Sequence, residues 1–204
     1  MTGERLVGRD LELALLSSLL EGLAVGRPFV LTVRGQNGSG RSALLDAART
    51  AADEAGVRVL SARGVDAIHD PPFGALSSLF RPLIGEANRH CGPAAPGADA
   101  LRSAVALSSG AVAPDDVRVG ALHSLTSASD TAPVLLLLDD TERMDQPSLD
   151  VLSFALGRVG VEPIGAVCAC IPGAGPLAGV TTDVLPLPGL SPAALADLAC
   201  ATAP

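Results

Sequence analysis

The segment Gly35-Gln36-Asn37-Gly38-Ser39-Gly40-Arg41-Ser42 matches the spacing G-x-x-x-x-G-K-[ST] at every position except the lysine, which is Arg41. A loop of this kind aims backbone N–H groups at the α- and β-phosphates of a nucleotide, and the helix that follows adds the positive end of its dipole. In the full pattern the lysine reaches the β- and γ-phosphates and the Ser/Thr hydroxyl ligates Mg²⁺. Here Gly35, Gly38 and Gly40 supply the tight backbone and Ser42 the hydroxyl. A second group lies roughly a hundred residues downstream, where the apolar run Val134–Leu138 ends in Asp139 and Asp140. An aspartate at such a strand tip holds Mg²⁺, and a second acid orients and deprotonates an attacking water. Taken alone, paired aspartates are common turn residues, and two glycines at this spacing mean little in a chain with 22 of them. Together they point to a phosphate-binding site with Mg²⁺, in which Ser42 offers its hydroxyl to the metal and the two aspartates are candidates for the metal and water roles.

The elements around these residues have the periodicities that such a site needs. Phe29–Arg34 is a short β-rich run that ends directly at the glycine loop, and Ser42–Ala55 reads as a helix with Leu44, Leu45, Ala48 and Ala52 on one side. Val57–Ala62 reads as a strand. Helical stretches follow at Gly74–Leu83, Ala98–Ser108 and Asp116–Ser127. Pro133–Leu138 is a continuous apolar strand, Pro147–Val159 a helix, and Pro163–Cys170 another buried strand. The last strand, Thr182–Leu187, contains Pro186, which cannot donate to a ladder and so belongs at a sheet edge. Ser191-Pro192 then starts a helix in the favoured cap order. Near the N-terminus, Leu13, Leu16, Leu20 and Leu23 mark a helix over Asp10–Leu23, with Asp10 expected as its cap. Strands alternating with helices imply a parallel α/β sheet.

Composition narrows the classes. The chain has 204 residues, enough for one domain with a real core. Its 14 basic residues are all arginine, and the net charge is −8. That balance opposes direct DNA binding, which needs a basic patch. No apolar stretch approaches the ~18 residues of a membrane span, and no signal peptide is read at the N-terminus. The four cysteines have no C-x-x-C spacing and read as buried thiols; a metal site involving Cys91 is not expected. A reduced, cytoplasmic protein fits these features.

Four segments in fixed order carry a resemblance: Leu6-Val-Gly-Arg-Asp10 with its leucine-rich helix, the glycine loop, Pro72-Phe-Gly-Ala-Leu76, and Leu137-Leu-Asp-Asp140. Together they resemble the N-terminal ATPase domain of the large ATP-binding LuxR-type transcriptional regulators, a STAND-class branch of the AAA-related ATPases. The resemblance runs from Leu6 to Leu198. It implies a P-loop NTPase fold of the ASCE, AAA-like kind, a three-layer α/β domain with a mainly parallel five-stranded sheet in the order 5-1-4-3-2. For bound ATP or ADP it also places Val7, Gly8 and Arg9 near the base or ribose and the phosphates on Gly35–Ser42, with Mg²⁺ on Ser42 and Asp139 and the attacking water on Asp140 as the catalytic residue. Asp145 and Ser148-Leu149 match a D-x-x-S-L segment and read as the structural start of a helix. Residues 1–27 would form the N-terminal helix with the V-G-R box, 28–190 the α/β core, and 191–204 the start of a truncated lid, all within a single nucleotide-binding core. Family members continue into a lid, a helical-repeat region and a DNA-binding helix-turn-helix, whereas this sequence stops at Pro204.

Three positions depart from the pattern: Arg41 replaces the lysine, Arg143 stands where a tryptophan is usual, and Ile171 takes the place of an arginine that senses the γ-phosphate. Arg41 keeps the charge but not the shape of a lysine. Turnover depends on ångström-scale positioning, so these changes damage hydrolysis more than binding. The sequence therefore suggests a signalling module that binds ATP or ADP with weak or absent hydrolysis and is open to other protein domains or to self-association. Two alternatives stay open: a nucleotide-free scaffold, and a truncated remnant of such a regulator.

Overall fold

The computed structural model describes residues 6–65, 71–87, 96–106, 112–173, 177, 179–180, 183–192 and 194–195. Cys91, Cys200 and most of the proposed lid lie outside these residues. Among these residues six helices and five strands follow in the order α1 (Asp10–Ala24), β1 (Phe29–Gly35), α2 (Arg41–Glu54), β2 (Arg58–Arg63), α3 (Gly74–Ala87), α4 (Ala98–Val105), α5 (Pro114–Ser129), β3 (Val134–Asp139), α6 (Gln146–Leu156), β4 (Ile164–Cys170) and β5 (Asp183–Leu187). A 3₁₀ turn, Thr141–Arg143, links β3 to α6.

All five strands form one sheet in the order β2-β3-β4-β1-β5, and every neighbouring pair is parallel. This is the expected 5-1-4-3-2 order. Pro186 sits in edge strand β5, paired on one side only, opposite Arg34 of β1.

Why the central strands read as unbroken apolar runs is clear from their two faces. On β3, Leu135 and Leu137 pack with Leu16, Leu20 and Leu23 of α1 and Leu44, Leu45 and Ala48 of α2. Val134, Leu136 and Leu138 face the opposite way, into a cluster with Leu76, Leu79 and Phe80 of α3, Leu101 of α4, Leu125 of α5 and Leu152 of α6. Side chains alternate across a strand, so a strand covered on both faces needs apolar residues at every position. The result is three layers, with α1 and α2 on one side of the sheet and α3–α6 on the other.

Two local expectations are corrected. Asp10 is the first residue of α1, not its cap; the capping position is Arg9, which makes no side-chain cap bond. Asp10 and Glu12 still place negative charge in the first turn, where the helix dipole favours it. Helix α3 also runs past Leu83 to Ala87 despite Pro82, because Leu83 is buried in the core and Ile84 packs against it.

The parallel arrangement puts the C-terminal ends of β1, β2, β3 and β4 along one rim. Because β4 lies between β1 and β3, the loops leaving β1 and β3 diverge and leave a crevice, where open α/β sheets bind ligands.

Candidate functional site

The glycine loop leaves β1 at Gly35 and enters α2 at Arg41. Gly38 and Gly40 have φ of 80° and 92°, and no atom lies within 4 Å of where a β-carbon would stand at either. Only glycine adopts this conformation freely, and the loop interior is open as a result. Gly40 occupies the N-cap of α2 with no side-chain cap, so the first N–H groups of the helix remain directed at the rim. Ser39 is buried, and its Oγ finds no hydrogen-bond partner among the described residues.

Opposite the loop, the two aspartates are held differently. Asp139 Oδ2 accepts from the Ser42 hydroxyl at 2.7 Å, while Asp139 Oδ1 accepts from the Asp140 N–H at 3.0 Å. Asp140 turns out of the strand in a left-handed conformation, φ 48°. Its Oδ1 accepts from Arg41 Nη2 at 2.9 Å, and its Oδ2 accepts from Arg63 Nη2 at 3.0 Å and Nε at 3.1 Å. Both carboxylate oxygens are engaged by guanidinium groups.

Arg41 lines the crevice but turns its guanidinium donors back onto the protein. Its Nη1 donates to Gly35 O at 3.1 Å and its Nη2 to Asn37 Oδ1 at 3.3 Å, with Glu142 Oε1 3.7 Å from Nη1. The side chain is 7% exposed, whereas that of Arg63 is 65% exposed. The Arg63 pKa is pushed further up, first by its hydrogen bond to Asp140 and then by the charge of Asp139, so it is a permanent cation.

A cavity of about 640 Å³ joins these groups, lined by Gly38, Gly40, Ser42, Asp140, the three arginines Arg41, Arg63 and Arg143, and Ile171 among others. Its size lies within the ~300–1,000 Å³ of small-ligand sites. Among the sequence candidates, the structure brings Asn37, Gly38, Gly40, Arg41, Ser42 and Asp140 to this cavity. Asp139 stands behind it through Ser42. Gly35, Gln36 and Ser39 shape the loop without lining the cavity; Ser39 N–H donates to Gln36 O at 3.0 Å.

Val7, Gly8 and Arg9 are not on the cavity wall. Arg9 is buried, donating from Nη2 to Ser39 O at 2.8 Å and to Pro188 O at 2.6 Å, and from Nη1 to Glu12 at 2.9 Å. It ties the glycine loop to the segment after β5.

Sequence reasoning missed Arg63, which has no motif of its own. The only signal for it would have been that β2 neighbours β3, placing the last residue of β2 opposite Asp139.

These residues fit a nucleotide phosphate chain with Mg²⁺. The loop is open at its glycines, three arginines gather at one rim of an otherwise acidic chain, and Ser42 with Asp139 offers paired hard oxygen donors. Among the described residues no group of three or more His, Cys, Asp and Glu could hold a metal ion. No described helix is long and apolar enough to cross a membrane.

The fold and the rim together define a P-loop-type nucleotide-binding α/β domain. Residues 5–167 match the AAA ATPase domain family, and the chain belongs to that family. Among solved structures it is similar to a DNA replication initiation factor, with a TM-score of 0.48 and 16% identity, over 91% of this chain and 49% of that one. The chain thus spans about half the length of that structure. No curated protein matches it.

Proposed function

We propose that this chain is a regulatory nucleotide-binding module of the STAND kind, related to LuxR-type regulators, which holds ATP or ADP with Mg²⁺ and hydrolyses ATP slowly or not at all. The observation that carries this reading is the buried Arg41–Asp140 ion pair, 2.9 Å long. It engages the carboxylate that would activate water, while the glycines and the Ser42–Asp139 pair stay in place. In this reading the loop amides and the first turn of α2 hold the phosphates, and Ser42 and Asp139 hold hydrated Mg²⁺. The metal would offset phosphate charge and orient the phosphate chain.

Magnitudes separate binding from turnover. A hydrogen bond to a charged group is worth about 1.5–3 kcal/mol. For Arg41 to meet a phosphate it must give up a bond of the same kind to Asp140, so its net contribution to affinity is near zero. The backbone amides and helix dipole do not have to break anything. Catalysis suffers more, because a general base must be placed and free to take a proton from water, and the buried Arg41 pair holds Asp140 Oδ1 whether or not Arg63 stays on Oδ2.

The acidic charge of −8 argues against direct DNA contact by this chain. A second reading, a nucleotide-free interaction scaffold, draws on the same ion pair: Arg41 finds Gly35 O, Asn37 and Asp140 without any ligand. The domain organisation proposed from the sequence, with a core through residue 190 and a lid beginning at 191, has support in Ser191, whose Oγ accepts from Ala194 N at 3.2 Å.

Calorimetric titration with ATP and Mg²⁺, run on the wild type and on Arg41→Lys, tests the reading. The expected result is heat from both proteins, with affinities within about tenfold of each other, and phosphate release rising only in the lysine variant. Heat from the variant alone selects the scaffold reading. Wild-type turnover equal to that of the variant removes the argument built on Arg41.

A further inference from the structure

We propose that Arg63 reads the terminal phosphate of the nucleotide, as a specificity residue at the end of β2 that takes over from the uncharged Ile171 just after β4. The proposal rests on the nucleotide-binding reading above and adds to it the means by which the site tells a triphosphate from a diphosphate.

The position of Arg63 follows from topology. It ends β2, pairs in register with Asp139 of β3, and lines the same cavity as Gly38, Gly40 and Ser42. The backbone behind it is pinned. Gly64 N–H donates to Asp139 O at 2.9 Å, and a β-carbon at Gly64 would lie 2.2 Å from Asp140 O, so only glycine permits this approach. The Arg63 side chain is the exposed part on a fixed base.

Two cations share Asp140, and they differ in how easily each can leave. The Arg41 pair is buried, and breaking a buried pair is strongly unfavourable. Arg63 is 65% exposed, and an exposed pair contributes little. When a third phosphate enters beside Asp140, Arg63 can exchange carboxylate for phosphate and offer a forked pair of N–H donors, the geometry in which guanidinium binds phosphate well. A diphosphate lacks the group that draws it away. The exchange frees Asp140 Oδ2, so the presence of the third phosphate is passed to the carboxylate at the β3 tip. Ile171, the residue directly after β4, lines the cavity and has no charge with which to do this.

The test is titration of the full chain with ATP–Mg²⁺ and, separately, ADP–Mg²⁺, for the wild type, Arg63→Gln and Arg63→Lys. Urea midpoints of all three proteins check that they fold. The expected result is a loss of ATP affinity of about ten- to a hundredfold in Arg63→Gln, with ADP affinity within about twofold of wild type and Arg63→Lys between the two. Equal losses for ATP and ADP, or no loss for either, overturn the assignment while leaving the nucleotide reading intact. Absence of binding of both nucleotides by the wild type removes the nucleotide reading itself, and Arg63's role with it. If Arg63→Gln fails to fold, the ATP-to-ADP affinity ratio of Arg63→Lys decides: an unchanged ratio counts against the proposal and a fall in the ratio for it.

Discussion

At the tip of β3 a change of backbone direction gives two neighbouring carboxylates different work. Asp139 continues the strand and meets Ser42; Asp140 turns left-handed and lies between two arginines. Beneath the same rim, β4 carries Cys168 and Cys170, both fully buried. Burial, with Cys170 alongside, pushes the Cys168 thiol up from 9.0 to about 12, and burial also raises Cys170. The sign follows from linkage: with a folded pKa above the unfolded one, the contribution is fully present below pH 9 and is lost as pH rises towards about 12. The chain contains neither lysine nor tyrosine, so its cysteines are the side chains that titrate in that window. The expected outcome is a urea midpoint that is flat from pH 7 to 8.5 and then falls, by about 1.4 kcal/mol per pH unit per buried thiol. Urea titrations at half-unit pH steps check this, and Cys168→Ala should flatten the alkaline limb. A limb unchanged by the substitution would mean that some other group drives it.

Among the elements, α3 and α6 start at one carboxylate. Asp145 caps α6 by accepting from Ser148 N–H at 2.9 Å, and it also accepts from Phe73 N–H at 2.8 Å and Ala75 N–H at 3.2 Å. Ser148 Oγ accepts from Leu76 N–H at 2.9 Å. The segments Pro72–Leu76 and Asp145–Leu149, read separately in the sequence, are one joint in the structure. Losing a cap costs about 1 kcal/mol, and each buried N–H left without a partner about 1 more. Asp145→Ala should therefore cost about 3 kcal/mol, measured as a fall in the urea midpoint with unchanged slope. A cost near 1 kcal/mol would mean that water replaces the carboxylate at α3. What was legible here follows from physics that acts locally. The β3 run, the α2 periodicity and the Pro186 edge are properties of contiguous residues, and each was readable. The partners of Arg41 and Arg63 were not, because a residue type fixes a charge but not its direction. Asp140 lies 99 residues from Arg41 and 77 from Arg63, and only the strand order brings them together.

For the whole molecule, the question is whether occupation of one rim is felt throughout the fold. The family match ends at residue 167, inside β4, yet β5 pairs with β1 over Leu31–Gly35, directly before the glycine loop. Arg9 reinforces that link by joining the start of α1, Ser39 O in the loop and Pro188 O after β5. Both core clusters include residues of β3 and β4, so neither helical layer can separate without exposing the strands that carry Asp139 and Asp140. Loop, aspartates and sheet should therefore melt together, and a ligand on the rim should stabilise all of them. At a free concentration of one hundred times Kd, linkage supplies about 2.7 kcal/mol. For a domain of this size each kcal/mol raises Tm by about 2–4 °C, so ATP with Mg²⁺ should raise it by about 5–11 °C. Calorimetric scans across a series of nucleotide concentrations check this, and the rise should grow with the logarithm of concentration in a single transition. If the transition split, with one part insensitive to nucleotide, β5 or one helical layer would be shown to unfold independently of the rim. If Tm stayed flat up to millimolar nucleotide, the rim would not be a nucleotide site, and the arginines around Asp140 would be explained by folding alone.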